Sequence, residues 1–150
     1  MWIDERGSEI LPLPECRRLL ALAAKQHHHG HLGISTDDAP VVLPIDFGVH
    51  DDHVILQVGN GLFAGIDGRL VAFQVDNSTA GSSWSDVDPE GRWSVLVRGL
   101  ATEIEMGSVG ADLSEPRIAE PGHRVMQVHA DVVTGRWIRT TYVPSDGTWR

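Results

Sequence analysis

Trp93-Ser-Val-Leu-Val-Arg-Gly99, joined further on by Val132-Val-Thr-Gly-Arg-Trp137, decides the fold, because the two stretches read as late strands of one barrel. Trp93, Val95 and Val97 alternate with Ser94, Leu96 and Arg98, so one side of the run is wholly apolar and the other mixed. That is the pattern of a strand buried on one face. Gly99 and Gly135 then belong where a barrel strand bends or a neighbouring backbone comes close.

Outward from this pair, strand signals recur at short intervals. Gly30 to Thr36, Pro40 to Val49 and His53 to Val58 read as three consecutive antiparallel strands, the last two joined by a tight turn at His50-Asp-Asp. Arg69 to Asp76 is extended again. Arg124 to Val133 and Arg136 to Val143 form a final pair joined around Thr134-Gly135, which brings the total to about seven strands. Pro14 to Lys25 is the one strong helix: proline and glutamate open it, and Cys16, Leu19, Leu20 and Ala23 form an apolar stripe able to close one mouth of a barrel. The glycine-punctuated run Gly59 to Gly68 holds one short helical turn, while Asn77 to Gly91 and Met106 to Gly122 read as irregular. Many short strands behind one leading helix predict a mainly β protein, a small antiparallel barrel that leaves few exposed edges.

The 150 residues make one domain, 1–150, and with 41% hydrophobic and 22% charged residues the chain can bury a core of its own. Twelve basic against 21 acidic residues give a formal charge of -9. Such a surface repels phosphate backbones and anionic headgroups, so neither nucleic acid nor a membrane surface is an expected partner. Cys16 is the sole cysteine, which rules out an intrachain disulfide and suits a reducing compartment. No apolar run approaches the roughly 18 residues of a spanning helix. The opening Met-Trp-Ile-Asp-Glu-Arg places no basic stretch ahead of an apolar core, so a cytoplasmic location without an export signal is expected.

The leading helix, Pro40-Val-Val-Leu-Pro-Ile-Asp-Phe-Gly-Val49, Val71-Ala-Phe-Gln-Val-Asp76, Trp93 to Gly99 and Val132 to Arg136 stand in the order found in the pyridoxamine 5'-phosphate oxidase-like family, which the chain resembles over roughly residues 11 to 138. The likeness is to its actinobacterial-type members. It implies an antiparallel split β-barrel with short peripheral helical turns, usually a homodimer with an FMN site in each of two clefts between subunits. The family's Leu-Pro-Val-Asn pattern along the flavin ring is matched by Leu43, Pro44, Ile45 and Asp46, with an acceptor-only carboxylate in place of the amide. Ser94 falls where relatives carry a polar residue that reaches the cofactor. The phosphate grip, Arg-Thr-Gly followed by Gly-Thr-Lys-Leu in relatives, corresponds to Gln57, Val58, Gly59, Asn60, Gly61, Leu62 and Phe63. Its cations and hydroxyls are replaced here, which leaves backbone N–H groups at Gly59, Asn60 and Gly61 as the anion-binding elements.

Other clusters invite chemistry less strongly. His29 and His31 of His27-His-His-Gly-His31 would share a strand face, but they follow a helix C-terminus, where histidines are favourable, and no Cys or Glu stands at ligand spacing; no metal is expected, and the Gly-Arg-Leu type sequence that relatives carry here implies as the alternative that His31 faces the cofactor cleft. His50-Asp-Asp-His53 reads as turn chemistry, Asp67, Asp76, Asp86 and Asp88 as surface carboxylates, and Cys16 as a buried thiol. No nucleophile-elbow pattern supports a hydrolase. Trp93 and Trp137 belong to strands, whereas Trp2, Trp84 and Trp149 are candidates for packing across a subunit boundary or onto a ligand. Two functions follow: an FMN-dependent oxidoreductase acting on a small molecule, or a flavin-free small-molecule binding or regulatory module on the same dimeric barrel. The acid excess argues against a deazaflavin with its long anionic tail.

Overall fold

The computed structural model describes residues 9–26, 28–77, 92–105 and 123–138. In chain order the elements are β1 (Glu9–Ile10), α1 (Leu13–Lys25), β2 (Gly30–Ile34), β3 (Val41–Ile45), β4 (Phe47–His50), β5 (His53–Gly59), α2 (Asn60–Ile66), β6 (Leu70–Asp76), β7 (Arg92–Glu103), β8 (His123–Val128) and β9 (Val132–Ile138). Every ladder is antiparallel, and the hydrogen-bonded order is β3-β2-β6-β7-β8-β5-β4, with β9 on β7 and β1 on β9. The two ends of this path, β3 and β4, are consecutive in the chain and separated by Asp46 alone. The sheet therefore curls back on itself, and the fold is a split antiparallel barrel, as the sequence pattern implies.

β7 is the spine of the sheet. Trp93, Val95, Val97 and Ala101 are buried on its inner face, while Ser94, Leu96, Arg98 and Leu100 face outward. Phe73, Leu32, Val54, Leu56 and Met126 from neighbouring strands fill the same core. Each such side chain contributes about 1.5–3 kcal/mol by leaving water. Helix α1 supplies the predicted stripe: Cys16, Leu19, Leu20 and Ala23 are buried against this core, while Glu15 and Arg18 pair on the outside at 2.6 Å. The turn between β4 and β5 places Asp51 and Asp52 at positive φ, 48° and 63°. This is the left-handed pair that a two-residue hairpin requires and that aspartate tolerates.

Two expectations need correction. Pro40 to Val49 is not one strand: β3 pairs with β2 and β4 with β5, and the run bends at Asp46 to serve both halves of the barrel. Nor is there a hairpin at Thr134-Gly135, which lies inside β9. β8 and β9 follow one another along β7, with Val128 opposite Ala101 and Val132 opposite Arg98. Residues 129–131 thus face only Gly99 and Leu100, a bulge that kinks one long strand instead of reversing it. Gly135 is a close-approach glycine, since a Cβ there would come within 2.6 Å of Cys16 Sγ on the packed helix. Trp2, Trp84, Trp149, Asp86, Asp88, His27, Met106 to Gly122 and nearly all of Asn77 to Gly91 lie outside the described residues, as does the end of the last predicted strand.

Burial pushes the Cys16 thiol up from its ordinary value, and its Sγ lies 3.8 Å from the Leu11 carbonyl oxygen as a weak donor. A buried, protonated thiol is inert. Native protein at pH 8 should therefore react with a disulfide reagent at least about tenfold more slowly than protein unfolded in urea. Equal rates would contradict this placement.

Candidate functional site

The register of sheet pairing decides which predicted residues meet. Pro44 on β3, His31 on β2, Gln74 on β6 and Leu96 on β7 stand in one row across four strands, all on the outer face. The next row is Val42, Gly33, Ala72 and Arg98, in which Gly33 and Ala72 leave the middle of the face low. Leu70, Val42, Val132 and Leu100 around it are exposed, at 75%, 67%, 43% and 36% of their surface. A sheet face with this much apolar surface turned to solvent is unusual for a lone subunit.

Within this face the polar groups are interlocked. Gln74 Nε2 donates to Asp76 Oδ2 at 3.0 Å and to Ser94 Oγ at 3.1 Å. Gln74 Oε1 lies 3.2 Å from His31 Nδ1. At the bend, Asp46 meets His29 Nδ1 at 2.9 Å, both side chains being exposed. Of the Leu43 to Asp46 run, the side chains of Leu43 and Ile45 pack against the core, whereas Pro44 and Asp46 are exposed.

The second group of predicted residues lies around the end of β5. Phe47 pairs with Leu56, so Asp46 and Gln57 lie one residue beyond the last paired positions of the same ladder. The bend thus places the two groups side by side. Val58 is buried in the core, and Leu62 and Phe63 pack against it from α2. Gly59, Asn60 and Gly61 form the corner between β5 and α2, with Asn60 and Gly61 exposed. Gln57 Nε2 is buried and, among the described residues, has no hydrogen-bond acceptor. Such an orphaned donor costs about 1–3 kcal/mol until an acceptor reaches it.

One residue here escaped the sequence reading. Register places Arg124 of β8 opposite Val58. Its guanidinium lies 4.2 Å from the centroid of the Phe63 ring, its Nε donates to Asn60 Oδ1 at 3.2 Å, and its Nη1 meets Glu103 Oε2 at 2.8 Å. A cation thus stands over the Phe63 ring. No short motif could reveal it, because Arg124 and Asn60 are far apart in sequence and meet only through the β5–β8 ladder.

The remaining polar clusters have structural partners. His53 Nδ1 accepts the backbone N–H of Ala130 at 3.0 Å, and its ring lies 5.3 Å from that of His129, which also meets Thr102 Oγ1 at 3.1 Å. These contacts tie the β4–β5 hairpin to the bulge. Among the described residues no three His, Cys, Asp or Glu side chains converge as a metal site, and no helix is long and apolar enough to cross a membrane.

Comparison with known proteins agrees with this architecture. The profile of the pyridoxamine 5'-phosphate oxidase family matches residues 14–136. The FAD-binding protein from Mycobacterium smegmatis is 25% identical, with a TM-score of 0.65 over 87% of this chain and 100% of its own. A FAD-binding protein from Mesorhizobium loti is 20% identical, with a TM-score of 0.60 over 86% of this chain and 96% of its own. The FAD- and heme-binding protein from M. smegmatis is 17% identical, with a TM-score of 0.60 over 93% of this chain and 80% of its own. No curated protein matches the sequence.

Proposed function

The chain belongs to the pyridoxamine 5'-phosphate oxidase family, and from that premise we propose that it binds a flavin, FMN in the first instance, and serves as an oxidoreductase for a small molecule. The observation that carries this reading is an exposed outer face carrying hydrogen-bonding groups, together with a guanidinium at the β5–α2 corner. His31, in the row between Pro44 and Gln74, and Ser94 offer hydrogen-bonding groups beside a low floor at Gly33 and Ala72. Arg124, at the β5–α2 corner, supplies positive charge where the family's own cations are replaced. Phe63 is turned against the core beneath that guanidinium, so its ring does not compete for the outer space.

A bound flavin supplies the hydride or electron transfer, and the protein's part is to position it and tune its electrostatics. Asp46 meets His29 at the bend, while the orphaned Gln57 amide offers a donor nearby. The exposed apolar ring of Val42, Leu70, Leu100 and Val132 fits a two-fold partner, a second copy of this chain, which would cover the face and exclude water from it.

The test is a titration of purified protein with FMN and with riboflavin, followed by gel filtration with absorbance read in the flavin bands. One flavin per protomer eluting with a dimer supports the proposal. Arg124→Ala should weaken FMN roughly ten- to a hundredfold, since charge-assisted hydrogen bonds contribute about 1.5–3 kcal/mol each, and leave riboflavin unchanged. A protein indifferent to both flavins at micromolar concentration is instead a flavin-free binding or regulatory module. The specific observation favouring that outcome is the loss of cationic side chains at Gln57 and Phe63.

A further inference from the structure

The hydrogen bonds around Gln74 have a direction, and it reaches the surface at His31. Asp76 carries a carboxylate, which only accepts, so the amide nitrogen of Gln74 must face it at 3.0 Å. The second amide hydrogen goes to Ser94 Oγ at 3.1 Å, and both donors of Gln74 are then in use. Its oxygen is left facing His31 Nδ1 at 3.2 Å. An amide oxygen only accepts, so Nδ1 must carry the proton. In the neutral ring Nε2 is then a bare acceptor on an exposed side chain, in the row that ends at Pro44. The carboxylate thus sets the imidazole tautomer through one intervening amide, as outer groups set the tautomer of metal-bound histidines.

We infer that His31, with its tautomer set by Gln74 and Asp76, is the acceptor that reads the N–H edge of a planar heterocycle laid on this face. It therefore selects ligands whose ring nitrogen carries a hydrogen between two carbonyls. This rests on the flavin reading above, because an isoalloxazine presents such an edge at its N3 position. Gln74 and Asp76 are positioning residues and touch no ligand themselves.

Two measurements test it separately. In ligand-free protein at pH 8.5, imidazole nitrogen NMR should show His31 with a protonated Nδ1 and a bare Nε2, and Gln74→Ala should lose that bias. A bare Nδ1 in the unsubstituted protein overturns the relay whether or not any flavin binds. In fluorescence titrations, riboflavin should bind about tenfold more tightly than N3-methylriboflavin, the size of one well-placed hydrogen bond. His31→Ala should weaken riboflavin by a similar factor and erase the preference. Riboflavin binding without that preference, or with a preference that survives in His31→Ala, overturns the inference while leaving the flavin reading intact. Failure of FMN as well as both riboflavins to bind overturns the flavin reading and, with it, the role of His31 toward this edge.

Discussion

Gly99→Ala should abolish the folded protein. A Cβ at residue 99 would lie 1.7 Å from the carbonyl oxygen of His129 and 2.8 Å from its carbonyl carbon. Both are backbone atoms in the bulge where β7 passes from β9 to β8, so no side-chain rotation relieves the clash. The backbone is pinned there from both sides: His129 N–H donates to Leu100 O at 3.0 Å, and Asp131 Oδ2 receives Leu100 N–H at 3.4 Å. Separating the strands would break these bonds and open the barrel at its spine. The cost is expected to exceed about 4 kcal/mol, the range of the most damaging single substitutions. Since total stability is on the order of 5–15 kcal/mol, soluble yield and the urea midpoint should both collapse. Gly61→Ala is the control: nothing lies within 4 Å of its Cβ position, and alanine suits the first turn of α2. A Gly99→Ala protein that melts with the unsubstituted chain would refute the bulge.

Phe73→Ala is the second large effect, at about 3–5 kcal/mol. The ring is fully buried, packs on Phe47 with centroids 4.8 Å apart at 56°, and fills the space over Gly30. It therefore joins β6 to β4 beside the Asp46 bend, where no hydrogen-bonded ladder links β3 to β4. A Cβ at Gly30 would come within 2.1 Å of Phe73 Cζ, so Gly30→Ala alone is also destabilising. The two substitutions should not add. Removing the ring vacates the volume that the new methyl needs, and a coupling of at least about 1 kcal/mol is expected from the double-mutant cycle read by urea denaturation. Strict additivity would mean that Phe73 is not what requires glycine at position 30.

Much of the fold was legible because it depends on local periodicity. The alternation over Trp93 to Gly99 gave the inner and outer faces of β7 residue by residue, and the stripe of Cys16, Leu19, Leu20 and Ala23 gave the buried side of α1. The Asp51-Asp52 turn was readable because few residues accept a left-handed backbone. The bend at Asp46 was not readable, since the pattern on either side is continuous and only the choice of partner strand changes. Gly135 was ambiguous for a related reason: a glycine that admits a packed helix and a glycine that makes a turn look alike in sequence.

The site divides in the same way. The chain's own order of residues determined a mainly β barrel and the family pattern, and it singled out the runs Leu43 to Asp46 and Gln57 to Phe63 as candidates, because all of these lie within short segments. Tertiary structure decided that Leu43 and Ile45 face the core, that Gln74 joins His31 to Ser94, and that Arg124 arrives over Phe63 from β8. Those contacts come from strand register, which is fixed by the summed packing of the whole sheet and by no single segment.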